Sequence, residues 1–443
     1  MLNDGTGKRP WVFVAHVDGL FSRIHRVTGP LLIAFLIAVP WITIEGRALF
    51  RIDLPHRELH LLGSLFTATD TKLLLVLGLS AAVGLGVFTA LVGRVWCGYL
   101  CPQTVFLEEW VRQIEEMIEG NRGARRRLDE APWGASKVLR KSLKWFIFLL
   151  HSVVLGMTLV SYFGDARELW LGEAGSVAYT FVAALSLLFY LDFVWFREQF
   201  CNYLCPYARI QSVLTDQNTW TVGYDAKRGE PRHLKGVSEL PFGDCIDCNL
   251  CVNVCPQGID IRNGFQLECI TCGHCIDACT SVMEKQDLPS LINYTTEARL
   301  NGAPPERRIR PWIYSAILVA LLGIFVTLVL THELIDGSVT RQPGPMFIEM
   351  DGGLIRNSFQ AHIENRSNVP RTFHLSVEGL NSADVMTAAE DLVVPAGGEV
   401  IVPVFVTLDR KDAPQRTTKF HFVLVSGEDV IRRNGTFKSP GSP

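Results

Sequence analysis

The chain has 443 residues, with 42 Lys and Arg against 45 Asp and Glu, and 48% of its side chains are apolar. A formal net charge of −3 is too small to argue for nucleic acid or any other strongly charged partner, so position carries more information than the sum. All twelve cysteines lie between Cys97 and Cys279 in C-x2-C and C-x3-C spacings. This excludes the spread cysteine framework of a small secreted protein and points to metal ligation.

Residues 1–26 are mostly polar and carry no small-residue cleavage site behind the first apolar run, so a retained, cytoplasmic N-terminus is expected. Five runs are apolar enough to cross a bilayer, which takes roughly 20 residues per helix. They are Val27 to Ile44, Leu73 to Gly93, Trp145 to Gly164, Ala174 to about Phe196, and Pro311 to Thr331. A buried helix of a soluble protein is the competing reading for each, and it weighs most for the first run, which contains Pro30 and Pro40. Orientation follows from Lys and Arg in the short connections. The segment from Arg94 to Lys144 holds ten of them, whereas the turn between the third and fourth runs holds only Arg167. The basic segment is therefore expected in the cytoplasm together with residues 216–310, and everything beyond the fifth span on the far side.

The second and fourth runs each lead into a cysteine pair, Trp96-Cys97-Gly-Tyr-Leu-Cys101-Pro102 and Phe200-Cys201-Asn-Tyr-Leu-Cys205-Pro206. The shared Tyr-Leu-Cys-Pro marks an internal repeat of two helical hairpins over residues 27–215. Parallel copies packed about a two-fold axis would bring the four thiols together. Proline disfavours helix at the residue before it, so each span is expected to end at the motif, with a new helix starting at Pro102 or Pro206. Cys101 and Cys205 would then sit at helix N-termini, where partial positive charge favours thiolate. Soft thiolates suit Cu(I), Zn or an iron–sulfur cluster. The bland alternative, a small buried hydrophobe at a helix end, is common for one Cys pair and weaker for a duplicated one.

The stretch Cys245-Ile-Asp-Cys248-Asn-Leu-Cys251-Val-Asn-Val-Cys255-Pro256 is C-x2-C-x2-C-x3-C-P, and Cys269-Ile-Thr-Cys272-Gly-His-Cys275-Ile-Asp-Ala-Cys279 repeats it without the proline. In this two-cluster pattern the fourth cysteine of each motif serves the other cluster. One [4Fe-4S] cluster is thus expected on Cys245, Cys248, Cys251 and Cys279, and a second on Cys269, Cys272, Cys275 and Cys255. A pair of zinc knuckles would favour two separated C-x2-C pairs instead. There is no dinucleotide fingerprint and no C-x-x-C-H haem site. His25 and His151 could ligate a haem, although a membrane histidine is more often packed or hydrogen-bonded to a neighbour.

After the fifth span, residues 337–443 alternate apolar and polar side chains, as in Phe359–Ile363, Thr372–Val377, Val400–Val406 and Phe420–Val425. Such runs between Gly, Pro, Asn and Asp read as a β-sandwich with a docking or spacer role. No nucleophile or metal constellation is visible in it.

With these residues in place, the chain resembles the cytochrome c oxidase accessory protein family CcoG, also called FixG or RdxA. The likeness runs over nearly the whole length. It includes Gly93-Arg-Val-Trp-Cys-Gly-Tyr-Leu-Cys-Pro-Gln-Thr104, Arg197-Glu-Gln199, Cys205-Pro-Tyr-Ala-Arg209, Arg228-Gly-Glu-Pro-Arg232 and Ile259-Asp-Ile-Arg-Asn-Gly264. The C-x3-C-P motifs are shared with a wider group of membrane ferredoxins that includes NapH. The resemblance implies a multi-domain protein of the bacterial inner membrane: a five-helix bundle, a cytoplasmic two-cluster bacterial-type ferredoxin domain and an immunoglobulin-like outer domain. It also implies cupric reductase activity in assembly of the cbb3-type oxidase, with Cys97, Cys101, Cys201 and Cys205 binding copper. Membrane lipid, copper ion, oxidase assembly components and an unidentified cytoplasmic electron donor are the implied partners, and a homodimer is left open. A NapH-like conduit that oxidises quinol and a non-catalytic assembly scaffold are the alternatives.

Overall fold

The computed structural model describes residues 11–44, 46–54, 58–66, 71–233, 242–304, 308–331, 335–367, 369–380, 382–387, 391–412, 415–427 and 429–440. Part of the expected ferredoxin segment, 234–241, lies outside them. The chain divides into two compact units, one built from residues 1–42, 49–52 and 72–326, the other from 43–48, 53–71 and 327–443.

Among the described residues, five helices are long and apolar enough to span a bilayer: Leu20–Trp41, Lys72–Val92, Ala135–Val160, Ser176–Phe196 and Ile309–Leu330. Two start earlier than hydropathy alone suggests. The first begins at Leu20 rather than Val27, because the Asp277 carboxylate accepts from the Phe21 and Ser22 amides (3.2 and 2.7 Å) and so satisfies the open helix end. The third begins at Ala135 rather than near Trp145. Its first turns carry Lys137, Lys141 and Lys144, which are buried because they meet the Asp129 and Ala131 carbonyls, Glu119 and Glu115. Paired charge lets a helix continue where hydropathy stops.

Neither cysteine pair caps its span. The second span ends at Val92, and Gly93 turns the chain at φ 64°, where a side chain would meet the Trp220 carbonyl at 2.4 Å. The short helix Val95–Tyr99 then carries Cys97. The fourth span runs through a π turn, Asp192–Phe196, breaks at Arg197 (φ 52°), and a second π turn, Phe200–Leu204, carries Cys201. Cys101 and Cys205 are extended, and Pro102 and Pro206 each open the next helix.

The ferredoxin-like part sets the helices Leu250–Asn253 and His274–Met283 against a two-stranded sheet, Thr221–Tyr224 with Ile292–Thr295. Val222, Tyr224, Ile261, Ile276, Met283, Leu291 and Ile292 form its core.

In the second unit, two antiparallel sheets face each other. One runs Asp384–Thr387, Glu399–Asp409, Leu354–Asn365, Ile335–Arg341, with Ile348–Met350 also pairing on Leu354–Asn365. The other runs Leu392–Val394, Arg371–Glu378, Thr417–Ser426, Asp429–Lys438. The alternation read from the sequence turns Phe359, Phe373, Val404, Val406, Phe420, Phe422 and Leu424 into one core between the sheets. A hairpin from the connection between the first two spans, Glu58–Leu61 with Ser64–Phe66, belongs to this unit. Nearby Arg47 donates to the Arg366 and Ser367 carbonyls at 3.2 and 3.1 Å.

Candidate redox centres and the four-thiol site

Two cavities lie side by side in the ferredoxin-like part. One is lined by Cys245, Cys248, Cys251 and Cys279. The other is lined by Cys255, Cys269, Cys272 and Cys275, with Cys251 on its wall. The thiol sets are those expected from the exchanged fourth cysteine, because the helix His274–Met283 starts at one cavity and carries Cys279 to the other.

The donor chemistry suits iron–sulfur clusters. Burial pushes the Cys251 thiol up to about 12 and the Cys269 thiol up to about 11, and lifts Cys272 and Cys275 well above the ordinary thiol value. Neighbouring cysteines add to the shift in each set: Cys248 and Cys279 around Cys251, Cys255 around Cys269 and Cys272. Thiols raised in this way become thiolates when a cation compensates them, which iron would do. Three arginines, less obvious from the sequence, support the sites. Arg262 bridges Asp260 and Asp247 and faces Cys251. Arg112 donates to the Pro256 carbonyl at 2.8 Å and faces Cys255. Arg94 is an electrostatic neighbour of both Cys269 and Cys97.

The two C-x3-C-P motifs meet. Cys97 is an electrostatic neighbour of Cys101 and Cys205, Cys101 of Cys205, and Cys201 of all three. Cross-repeat contacts hold them. Tyr207, two residues after Cys205, bonds the Thr89 hydroxyl of the second span at 2.7 Å. Gln103, two residues after Cys101, donates to Asp192 of the fourth span at 2.7 Å. These contacts are reciprocal, as a two-fold relation requires, with Thr89 eight and Asp192 nine residues before the first cysteine of its motif. The π turn Asp192–Phe196 accommodates the extra residue. Gln211, fully buried on the helix Pro206–Leu214, donates its amide to Cys97 Sγ at 3.3 Å. No motif marks it. Its distance from Cys205, six residues on one helix, is the sole trace in the sequence.

The expected thiolate at the helix N-termini is overturned for Cys101. Burial raises its thiol, and the Thr104 and Gln103 amides that favour the anion offset this only in part. Burial also pushes Cys97 up to about 11 and Cys201 higher still. Any metal held here would have to supply the charge that makes these sulfurs anionic, since the helix end does not.

The two histidines weighed as haem ligands are otherwise engaged. His25 Nε2 donates to the Cys272 carbonyl at 2.9 Å and stacks on Tyr99, while His151 Nδ1 donates to the Ile147 carbonyl of its own helix. The outer domain holds one group that the sequence did not suggest, His362, Glu364 and Glu399, whose donor atoms lie within 4.8 Å on neighbouring strands. Glu364 there is also paired with Arg366 at 3.1 Å.

Family models for a 4Fe-4S binding domain match residues 74–117 and for a 4Fe-4S dicluster domain residues 196–297, and a model described as an IG-like fold at the C-terminus of FixG matches residues 325–440. Protein RdxA of Cereibacter sphaeroides is 35% identical, covering 91% of this chain and 90% of that protein. Protein RdxB of the same organism is 36% identical over 90% and 89%, and nitrogen fixation protein FixG of Rhizobium meliloti 32% over 86% and 82%. With both cluster cavities, five apolar helices and the IG-like domain in one chain, this is an iron–sulfur electron-transfer protein of the multi-pass membrane class, and it belongs to the FixG/RdxA family.

Proposed function

We propose that the protein reduces Cu(II) to Cu(I) at Cys97, Cys101, Cys201 and Cys205, on the cytoplasmic side of the bacterial inner membrane, and supplies the product to assembly of a cbb3-type oxidase. The observation that carries the reading is the approach of four half-buried thiols from two repeats, near an iron–sulfur cavity. Copper is the substrate. When bound, the clusters supply electrons one at a time. The chain's own part is to offer soft sulfur, which favours Cu(I) over Cu(II) and so pulls the couple toward reduction.

Contacts within each unit support the proposed sidedness. The connection between the first two spans contacts the IG-like domain through Arg47, which supports a reading with both on one side. The N-terminal segment packs with the basic loop and the ferredoxin-like part, through Arg122 to the Phe13 carbonyl, Arg125 to the Val14 carbonyl and the Ala15 amide to the Asn253 carbonyl. An odd number of spans and the Lys and Arg bias then assign this second set to the cytoplasm.

A second reading, a third iron–sulfur cluster on the four thiols, is favoured by the 4Fe-4S description of the model matching residues 74–117. One preparation decides. Anaerobically reduced protein, mixed with Cu(II) and a Cu(I)-specific chelator, should release Cu(I) with about eight irons per chain, whereas a third cluster would raise iron to about twelve. The variant with Ser at all four positions should keep its iron and lose Cu(I) release. Unchanged release would sink the copper reading, and cluster reduction by added quinol would favour the conduit instead.

A further inference from the structure

The first C-x3-C-P motif does not merely lie near the second cluster cavity; it touches that cavity's ligand loop. Gly98, between Cys97 and Tyr99, is buried so closely that a methyl group in its place would stand 2.6 Å from the Ile270 carbonyl oxygen and 3.1 Å from Cys272 Cα. Tyr99 donates its hydroxyl to the Cys272 carbonyl at 2.9 Å and meets the Tyr294 hydroxyl at 3.1 Å, while Tyr294 donates to the Thr271 carbonyl at 2.5 Å. His25 grips the same Cys272 carbonyl from the first span. Arg94 lines one pocket with Cys269, donates to the Ala208 carbonyl at 2.5 Å, and is an electrostatic neighbour of both Cys97 and Cys269. The other cavity makes its approach to solvent instead: of the twelve cysteines, only its Cys248 is exposed.

We propose that electrons reach the four-thiol site from the cavity of Cys255, Cys269, Cys272 and Cys275, across the contact of Gly98 with the Ile270–Cys272 backbone, and that Gly98 is a positioning residue for this transfer. The order is then fixed by packing. The cavity of Cys248 is the entry end, and the cavity of Cys272 is the exit. Glycine is required because no other residue lets the backbone of the motif come so near the ligand loop. In the transfer one electron passes to Cu(II), giving Cu(I), with no bond made or broken; a one-electron reductant, dithionite in the test, restores it. This inference rests on the four thiols being the copper site.

The test uses full-length, iron-loaded protein in detergent. Co(II) is first seated on the four thiols, seen by its thiolate absorption and by loss of that absorption in the four-Ser variant. In the dithionite-reduced protein it should then broaden the paramagnetic signal of one cluster and spare the other. Equal broadening of both, or of neither, overturns the proposed order. Absence of the thiolate absorption would instead overturn the copper reading, and this inference with it. Gly98→Ala should keep iron and Co(II) binding yet slow Cu(II) reduction roughly tenfold or more, since a displacement of about 1 Å at a reacting contact is that costly. A wild-type rate in an iron-replete Gly98→Ala protein would refute the positioning role. Should that variant lose its iron, Tyr99→Phe, which adds no atoms, is expected to slow reduction with iron retained, and a wild-type rate there counts against the contact.

Discussion

Glu115 and Arg197 show how single residues hold the motifs in place. Arg197, 1% exposed, reaches Glu115 through two nitrogens at 2.7 and 3.1 Å, lies over the Trp11 ring, and sits four residues before Cys201. Burial alone would raise the Glu115 carboxyl, but Arg197, then Lys144 and Arg125, overcome it and hold the group down to about 2 from 4.5. A carboxyl depressed in the folded state contributes stability that is present above its unfolded value and is lost as pH falls through the folded one. The thermal midpoint of the detergent-solubilised protein should therefore drop between about pH 4.5 and pH 2, a loss of about 3 kcal/mol. Glu115→Gln should lack that pH dependence and should already be destabilised at pH 7 by about 3 kcal/mol or more, because it strands buried cations. A Gln variant as stable as wild type at pH 7 would contradict this account.

At the scale of elements, the third and fourth spans cross where Gly156 meets the fourth helix. A side chain there would stand 2.4 Å from Ser186 Oγ and 3.0 Å from the Val182 carbonyl. Small residues at such crossings let helix backbones approach where lipid offers no hydrophobic drive. Gly156→Val is expected to destabilise the bundle by about 1–3 kcal/mol through overpacking. Gly86→Val, at a position with no atom within 4 Å, is the control and should leave the midpoint in place. Thermal unfolding in detergent distinguishes them, and equal midpoints would show that the crossing does not depend on Gly156.

At the scale of the whole molecule, the two units carry separate cores. Phe422 is fully buried between the sheets, with ring centres 5.0 Å from Phe359 and 4.7 Å from Phe420. Phe422→Ala should cost the IG-like domain about 3–5 kcal/mol. Limited proteolysis should then cut within residues 335–440, while iron content stays at the wild-type value. Loss of iron in this variant would show that the cores are coupled.

Much of this architecture is legible along the chain. The spacings from Cys245 to Cys279 specify two clusters and the exchanged fourth ligands, because a cubane constrains sequence separation directly. Apolar run length and two-residue alternation likewise announce five spans and a two-sheet domain, since both are local consequences of periodicity. What the sequence could not decide is where charge and neighbours override those local rules. Leu20 and Ala135 start helices early because Asp277, Glu115 and Glu119 lie next to them in space. Burial raises the Cys101 thiol despite its helix end, because burial is a property of the packed molecule. The placement of Gln211 against Cys97, and of Gly98 against the Cys272 loop, joins residues more than one hundred positions apart. The sequence by itself singled out eight sulfurs for iron by their spacing; only the tertiary structure drew the two C-x3-C-P motifs toward each other and set the first against the Ile270–Cys272 loop, because that depends on how closely backbones approach.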